Sequence, residues 1–176
     1  MFDKKWNGKG YDEKGNIIYE LNNGNGKVKE YDDFFGNLKF EGEYLNGKRN
    51  GKGKEYYLNG NLKLLLGFDG EYLNGRRNGK GKEYDYETGK LKFEAEYLNG
   101  QKNGKVKEYY ENGKLKFEGE YLNGEKNGKA KEYYENGKLK FEGEYLNGEK
   151  EGKGKEYDYN CNLIFEGEYS DGERIW

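Results

Sequence analysis

The residues able to do chemistry in this 176-residue chain are carboxylates, lysines and tyrosines. Histidine is absent, so the usual general base near neutral pH is missing. Cys161 is the lone thiol; it stands where a turn glycine is expected and has no histidine to activate it. Without His or clustered Cys no metal-ligand set is expected, and no cofactor. Acidic residues are abundant enough to supply a glycosidase-like pair, but each recurs opposite a lysine, as in a solvated charge ladder. Gly51-Lys52-Gly53-Lys54 resembles a phosphate loop only superficially, since the Ser/Thr and the following helix are missing. Aromatics interleaved with lysines could stack single-stranded bases. Yet 34 acidic residues offset 32 basic ones, and the net charge of −2 leaves no positive field for nucleic acid. Enzyme activity, a small-molecule substrate and nucleic-acid binding are therefore not expected.

The elements that carry these residues are repeats. Lys114 to Gly137 reads KLKFEGEYLNGEKNGKAKEYYENG, and Lys138 to Cys161 reads KLKFEGEYLNGEKEGKGKEYDYNC. Gly104, Gly128 and Gly152 fall 24 residues apart, a period that marks an array of one supersecondary unit. With 32% hydrophobic and 38% charged residues the composition borders on that of disordered chains. The aromatics, however, recur at fixed positions, and a repeat array needs no central core because each unit buries its face on its neighbours. No helical periodicity or start signal occurs. The expectation is all-β: a single-layer antiparallel meander of stacked hairpins, without helices. About 14 strands would make an elongated twisted ribbon roughly 65 Å long. Residues 1–25 read as an irregular N-terminal cap with Phe2 and Trp6 over the first edge. Residues 26–169 hold the regular units, and 170–176, ending in Ile175-Trp176, read as a C-terminal cap.

Two turns set the register. Asn136-Gly137 suits a two-residue type I′ turn, and Gly124-Glu125 a type II′ turn. The first pairs Glu135 with Lys138, Lys131 with Glu142, Lys129 with Glu144, Ala130 with Gly143 and Gly128 with Tyr145. The second pairs Lys131 with Glu118, Lys129 with Glu120, Ala130 with Gly119 and Gly128 with Tyr121. Both give the same partition. Leu115, Phe117, Gly119, Tyr121, Gly128, Ala130 and Tyr134 share one face; Lys116, Glu118, Glu120, Lys129, Lys131 and Tyr133 share the other. A one-residue slip would reverse every side chain. In this scheme Gly128 lies beneath the rings of Tyr121 and Tyr145. Glu132 is the misfit, landing on the aromatic face. A bulge near Lys131-Glu132 is expected to return Tyr133 to that face.

On Phe117-Glu118-Gly119-Glu120-Tyr121, Gly124, Gly128 and Tyr133, and again on Phe141 to Tyr145, Gly148, Gly152, Gly154 and Tyr157, the chain resembles the MORN repeat family. Its spacing, and the Tyr-Tyr-Glu-Asn-Gly-Lys-Leu segment, look more like the variant MORN repeats of bacterial antitoxin-like proteins. The resemblance covers nearly the whole chain. It implies a twisted sheet of stacked hairpins used for scaffolding, oligomerisation and partner binding, and it implies lipid association as well.

The expected function is thus a non-catalytic scaffold or protein-interaction module, part of a larger assembly, with a protein partner or self-association. Anionic-membrane binding through basic tips is the alternative, and an antitoxin-like protein bound to a toxin the second alternative. The candidate partner surface joins the aromatic face (Phe68, Phe93, Tyr97, Phe117, Tyr121, Phe141, Tyr145) to Leu64, Leu65 and Leu66. These leucines belong to a four-residue insertion ending at Gly67, where the repeat fails. Lys48, Arg49, Arg76 and Arg77 are the candidate contacts to an acidic partner or lipid. No long apolar run occurs, so the expected location is cytoplasmic, either peripheral to a membrane or within an assembly.

Overall fold

Alternating apolar and charged residues between Asn-Gly turns fold into short strands that pair with their neighbours in sequence. The computed structural model describes residues 7–11 and 14–175. Phe2, Trp6 and Trp176, the expected caps, lie outside them. Among the described residues there is no helix, and fifteen strands follow one another. They fall into two compact units, one ending at Gly89 and the other beginning at Lys90. The first holds β1 (Gly8–Tyr11), β2 (Ile17–Asn22), β3 (Asn25–Tyr31), β4 (Leu38–Leu45), β5 (Lys48–Leu58), β6 (Leu64–Leu73) and β7 (Arg76–Tyr84). The second holds β8 (Leu91–Leu98), β9 (Gln101–Tyr109), β10 (Leu115–Leu122), β11 (Glu125–Tyr133), β12 (Leu139–Leu146), β13 (Glu149–Tyr157), β14 (Leu163–Ser170) and β15 (Glu173–Ile175). Within each unit every strand is antiparallel to the next, in a plain meander.

Both expected turns are corrected. β10 and β11 are joined by Asn123-Gly124, at φ 52° and 93°, a type I′ turn one residue earlier than the Gly124-Glu125 expectation. Pairing runs Leu122–Glu125, Tyr121–Lys126 and Glu120–Asn127, then jumps to Gly119–Ala130. Lys129 therefore does not face Glu120, nor Gly128 Tyr121. Gly128 and Lys129 form a bulge, with Gly128 at φ 69°. The connection from β11 to β12 is a three-residue loop. Tyr134 N–H donates to Lys138 O at 2.9 Å and Gly137 N–H to Tyr134 O at 2.8 Å, with Gly137 at φ 91°. This is a type I turn closed by a left-handed glycine, and it replaces the Glu135–Lys138 pair. Lys140 then bulges between the pairs Glu132–Phe141 and Tyr133–Leu139. Each bulge restores the register that the other turn assignment implied. At the strand centres the expected pairs are present: Lys131 with Glu118 and Glu142, and Ala130 with Gly119 and Gly143.

The bulges also move side chains between faces. Leu115 pairs with Tyr109 and shares its face, while Lys116 Nζ reaches Glu108 Oε1 at 2.7 Å on the aromatic side. These two exchange the faces that strict alternation gives them. Tyr133 stays on the Lys/Glu face, because the extra residue sits on the partner strand. Its hydroxyl donates to Glu118 Oε1 at 2.6 Å, as Tyr109 does to Glu94 at 2.8 Å and Tyr157 to Glu142 at 3.0 Å.

The core is a row of phenylalanines. Phe40 and Phe68 in the first unit and Phe117 and Phe141 in the second have essentially no exposed surface. Tyrosines meet them edge-on: Tyr145 and Tyr169 both lie 5.6 Å from Phe141. The glycines under these rings are Gly143 and Gly154, where an added Cβ would come within 2.5 Å and 2.8 Å of Phe141. Gly128 is not one of them. A Cβ there would meet the Glu120 carboxylate at 3.1 Å, and its glycine serves the backbone angle.

An antiparallel meander puts alternate connections on opposite edges. Along one edge the Asn-Gly turns are stitched together: Gly75 N–H donates to Arg49 O at 2.8 Å, and Gly124 and Gly148 N–H donate to Lys102 and Lys126 O at 2.9 Å. Along the other, Tyr110 and Tyr134 hydroxyls donate to the carbonyls of Tyr133 and Tyr157, at 2.7 and 2.8 Å.

Candidate interaction surfaces

The aromatic face is closed by a roof of ion pairs. Lys126 leaves the turn opposite Tyr121, so it rises on the aromatic side. Its Nζ sits 4.5 Å over Phe117 and bonds Glu132 at 2.7 Å. That cation explains why Glu132 occupies an apolar face. In the first unit arginines do more. Arg49 lies 3.9 Å over Phe40 and bridges Glu30 and Glu55, each at 3.0 Å. Arg77 lies 4.0 Å over Phe68 and spans Glu55 and Glu83. The guanidinium fork can bridge two repeats where an ammonium tends to serve one. Each cation also gains from the ring beneath it, by about 0.5–1 kcal/mol at partly exposed sites.

Burial opposes ionisation of Glu132, but the hydrogen bond and charge of Lys126 outweigh it and hold the carboxyl below its ordinary range. Arg77 does the same for Glu55, and Lys150 with Arg174 for Glu156. Burial, then Glu108 and Glu132, pushes the Tyr121 phenol up to about 12. A carboxyl depressed on folding stabilises above its unfolded value of 4.5, and that contribution is lost as pH falls through the folded value. The urea midpoint should therefore fall as pH drops below about 4.5, and Glu132→Gln should flatten that fall. An unchanged pH slope in Glu132→Gln would show the roof to be energetically idle.

Half of the expected docking residues are core. Phe68, Tyr97, Phe117, Phe141 and Tyr145 are buried by their own neighbours, and Phe93 and Tyr121 are partly buried. The aromatic face thus offers little surface to a partner. Of the four cations, Arg49 and Arg77 belong to the roof. Lys48 and Arg76 are exposed at the turns, paired with Leu45 and Leu73.

The leucine insertion lengthens one hairpin. Tyr56, Tyr57 and Leu58 of β5 pair with Leu66, Leu65 and Leu64 of β6. Gly67 is needed there, since a Cβ would strike the Tyr57 ring. Leu65 and Leu66 are partly buried and Leu64 is 40% exposed. The tip repeats the three-residue loop seen after Tyr134: Asn59 N–H donates to Lys63 O and Leu62 N–H to Asn59 O. Leu62 therefore holds the left-handed position that Gly113 and Gly137 hold elsewhere, at φ 58°, with 80% of its surface exposed. On the same edge of this unit, Phe34 (92%) and Phe35 (80%) project from the β3–β4 loop, and Tyr86 (60%) from the segment after β7. Sequence reading missed these three. The signal for the two phenylalanines was Asp32-Asp33-Phe34-Phe35-Gly36, which replaces the polar Glu-Asn-Gly tip of later repeats. Asp32 uses its carboxylate to hold that loop, accepting from the N–H groups of Phe34, Phe35 and Asn37.

The MORN repeat signature matches residues 40–62, 68–86 and 141–160, and the MORN repeat variant matches 102–123 and 126–147, together more than half of the chain. The chain belongs to the MORN repeat family. No curated protein matches it. In the second unit of this MORN array, the Lys/Glu face carries a trough of about 580 Å³. Lys131, Glu142, Lys155 and Glu166 form one wall and Lys129, Glu144, Lys153 and Glu168 the other. The backbone of Ala130, Gly143, Gly154 and Gly167 is its floor. Lys155 and Glu166 approach to 3.1 Å, Lys131 and Glu142 to 3.9 Å. Alternating signs cancel along both walls, so the trough favours neither an anion nor a cation. Among the described residues of the MORN array, no group of His, Cys, Asp and Glu is arranged to hold a metal ion, and no helix is long and apolar enough to cross a membrane.

Proposed function

We propose that this MORN array is a non-catalytic binding module that docks a protein on the edge where its repeat is broken. The observation that carries the reading is Leu62. A bulky side chain in the left-handed region is strained, and here a leucine is held in solvent at a position where two sister loops place Gly113 and Gly137 and a third places the smaller Cys161, at φ 73°. Packing within the chain does not account for that choice; contact with another molecule does. Phe34, Phe35 and Tyr86 extend the same edge with apolar surface. The test is a photo-crosslinking residue in place of Leu62, used in cells that make the chain. A defined protein adduct supports the reading, and an adduct with lipid alone, or none, overturns it.

The competing reading is an anionic membrane met through the basic tips. Lys48 and Arg76 are its free cations, since Arg49 and Arg77 are held in the roof. Two cations contribute about 1 kcal/mol each at a charged surface, which favours the protein reading. Salt-sensitive sedimentation with phosphatidylserine vesicles would reverse that preference.

A further inference from the structure

We infer that the partner on this edge is a second copy of the chain, in a two-fold dimer whose axis passes near Leu62. The inference rests on the protein-binding reading above and names its occupant. Three connections line the edge of the first unit in order: the β3–β4 loop with Phe34 and Phe35, the β5–β6 tip with Leu62 and Leu64, and the segment after β7 with Tyr86. Neighbouring connections are two strands apart, about 10 Å, roughly the span of one ring. The tip is fixed to the last of them, because Asn59 Nδ2 donates to Glu87 O at 3.2 Å.

Area supports a dimer. At about 200 Å² for a whole aromatic side chain, the exposed parts of Phe34, Phe35, Tyr86 and the two leucines amount to roughly 600 Å². A standard interface takes about 800 Å² from each partner. Order along the edge supports two-fold symmetry, in which residue i meets j and j meets i. An axis at the central tip sets Leu62 against Leu62, and Phe34-Phe35 against Tyr86, at both ends. Charge also permits it. Asp33 and Glu87 are exposed on this edge, and so are Lys39 and Lys63. Lys39, at the start of β4, then stands where Glu87 of the second copy arrives. Asp32 is already engaged by backbone N–H groups. A surface carrying both signs and a central apolar strip complements itself, and its balanced charges give an anionic bilayer no net attraction.

Sedimentation velocity over about a hundredfold concentration range is the test. The wild type should pass from monomer to dimer. Phe34→Asp with Phe35→Asp should remain monomeric throughout, with unchanged circular dichroism, because both rings are in solvent. In a Cys161→Ser background, Leu62→Cys should form an intermolecular disulfide under diamide, since each copy presents the thiol to the other. A wild type that stays monomeric overturns the inference. If the Leu62 photo-crosslink then captures a different protein, the binding-module reading survives; if wild type instead sediments with phosphatidylcholine–phosphatidylserine vesicles, both fall. A dimer that persists in the double variant also overturns the inference, by placing the interface elsewhere.

Discussion

Phe141→Ala is expected to lower the unfolding free energy by about 4 kcal/mol, the usual loss for a buried phenylalanine. Phe141 has no exposed surface. It is packed by Tyr145 and Tyr169 and lies 4.3 Å beneath Lys150 Nζ. In a unit one sheet thick, no second layer can move in to refill the space. Only the Lys150 stem can sag, and doing so would break its bond to Glu156. The matched control is Phe34→Ala, at a ring that is 92% exposed, where a loss under about 0.5 kcal/mol is expected. Urea titration at pH 7, at concentrations where both variants are monomeric, measures the two. Similar losses at both positions would mean that the aromatic row is not the core.

The second large effect is at the opposite extreme of size. Gly143→Val should cost about 3 kcal/mol through overpacking. An added Cβ at Gly143 would lie 2.5 Å from Phe141 Cζ and 2.9 Å from both Gly154 Cα and Lys153 O. The ring can tilt by a little, but the backbone contacts yield only if the strands spread. Ala95 occupies the corresponding place in an earlier repeat, facing Val106. One methyl can therefore be accommodated by adjusted neighbours, and Gly143→Ala should cost distinctly less than valine. Thermal melts of the pair test the order. Equal melting temperatures for Gly143→Val and wild type would remove the steric account of the glycine row.

Register at the strand centres was legible because it rests on charge and size at once. Slipping Lys131 by one residue would set it against Gly119 or Gly143 instead of Glu118 and Glu142, and no turn geometry is needed to see that. The turns were less legible. Asn123-Gly124 and Gly124-Glu125 are both good turn pairs, and only the bulge at Gly128 tells them apart. That bulge had a signal: a glycine kept at 104, 128 and 152 but lying under no ring. The roof was missed for a related reason. Glu132 looked like an error on the aromatic face until Lys126 was placed on the same side by the earlier turn. The Leu64–Leu66 insertion was located correctly as a break in the pattern. The residue it displays, Leu62, depends on a φ angle that residue types do not reveal. Phe34 and Phe35 were passed over although their loop is one residue longer than those after β9, β11 and β13, because side chains at a loop tip take no part in the alternation that marks a strand face.

The meander carries a kinetic consequence. Within each unit every strand pairs with its immediate successor, so each pairing closes only a short loop, and low contact order of this kind favours fast folding. The same arrangement has a hazard. The β10 and β12 segments are identical from Leu115 to Leu122 and from Leu139 to Leu146. A strand such as β11 therefore finds the same partner sequence on either side, and copies of it on every other chain. What keeps the order is proximity along the chain rather than chemical difference. The Asn-Gly turns thus act as kinetic addresses, directing each strand to its neighbour before an equivalent strand farther away can substitute.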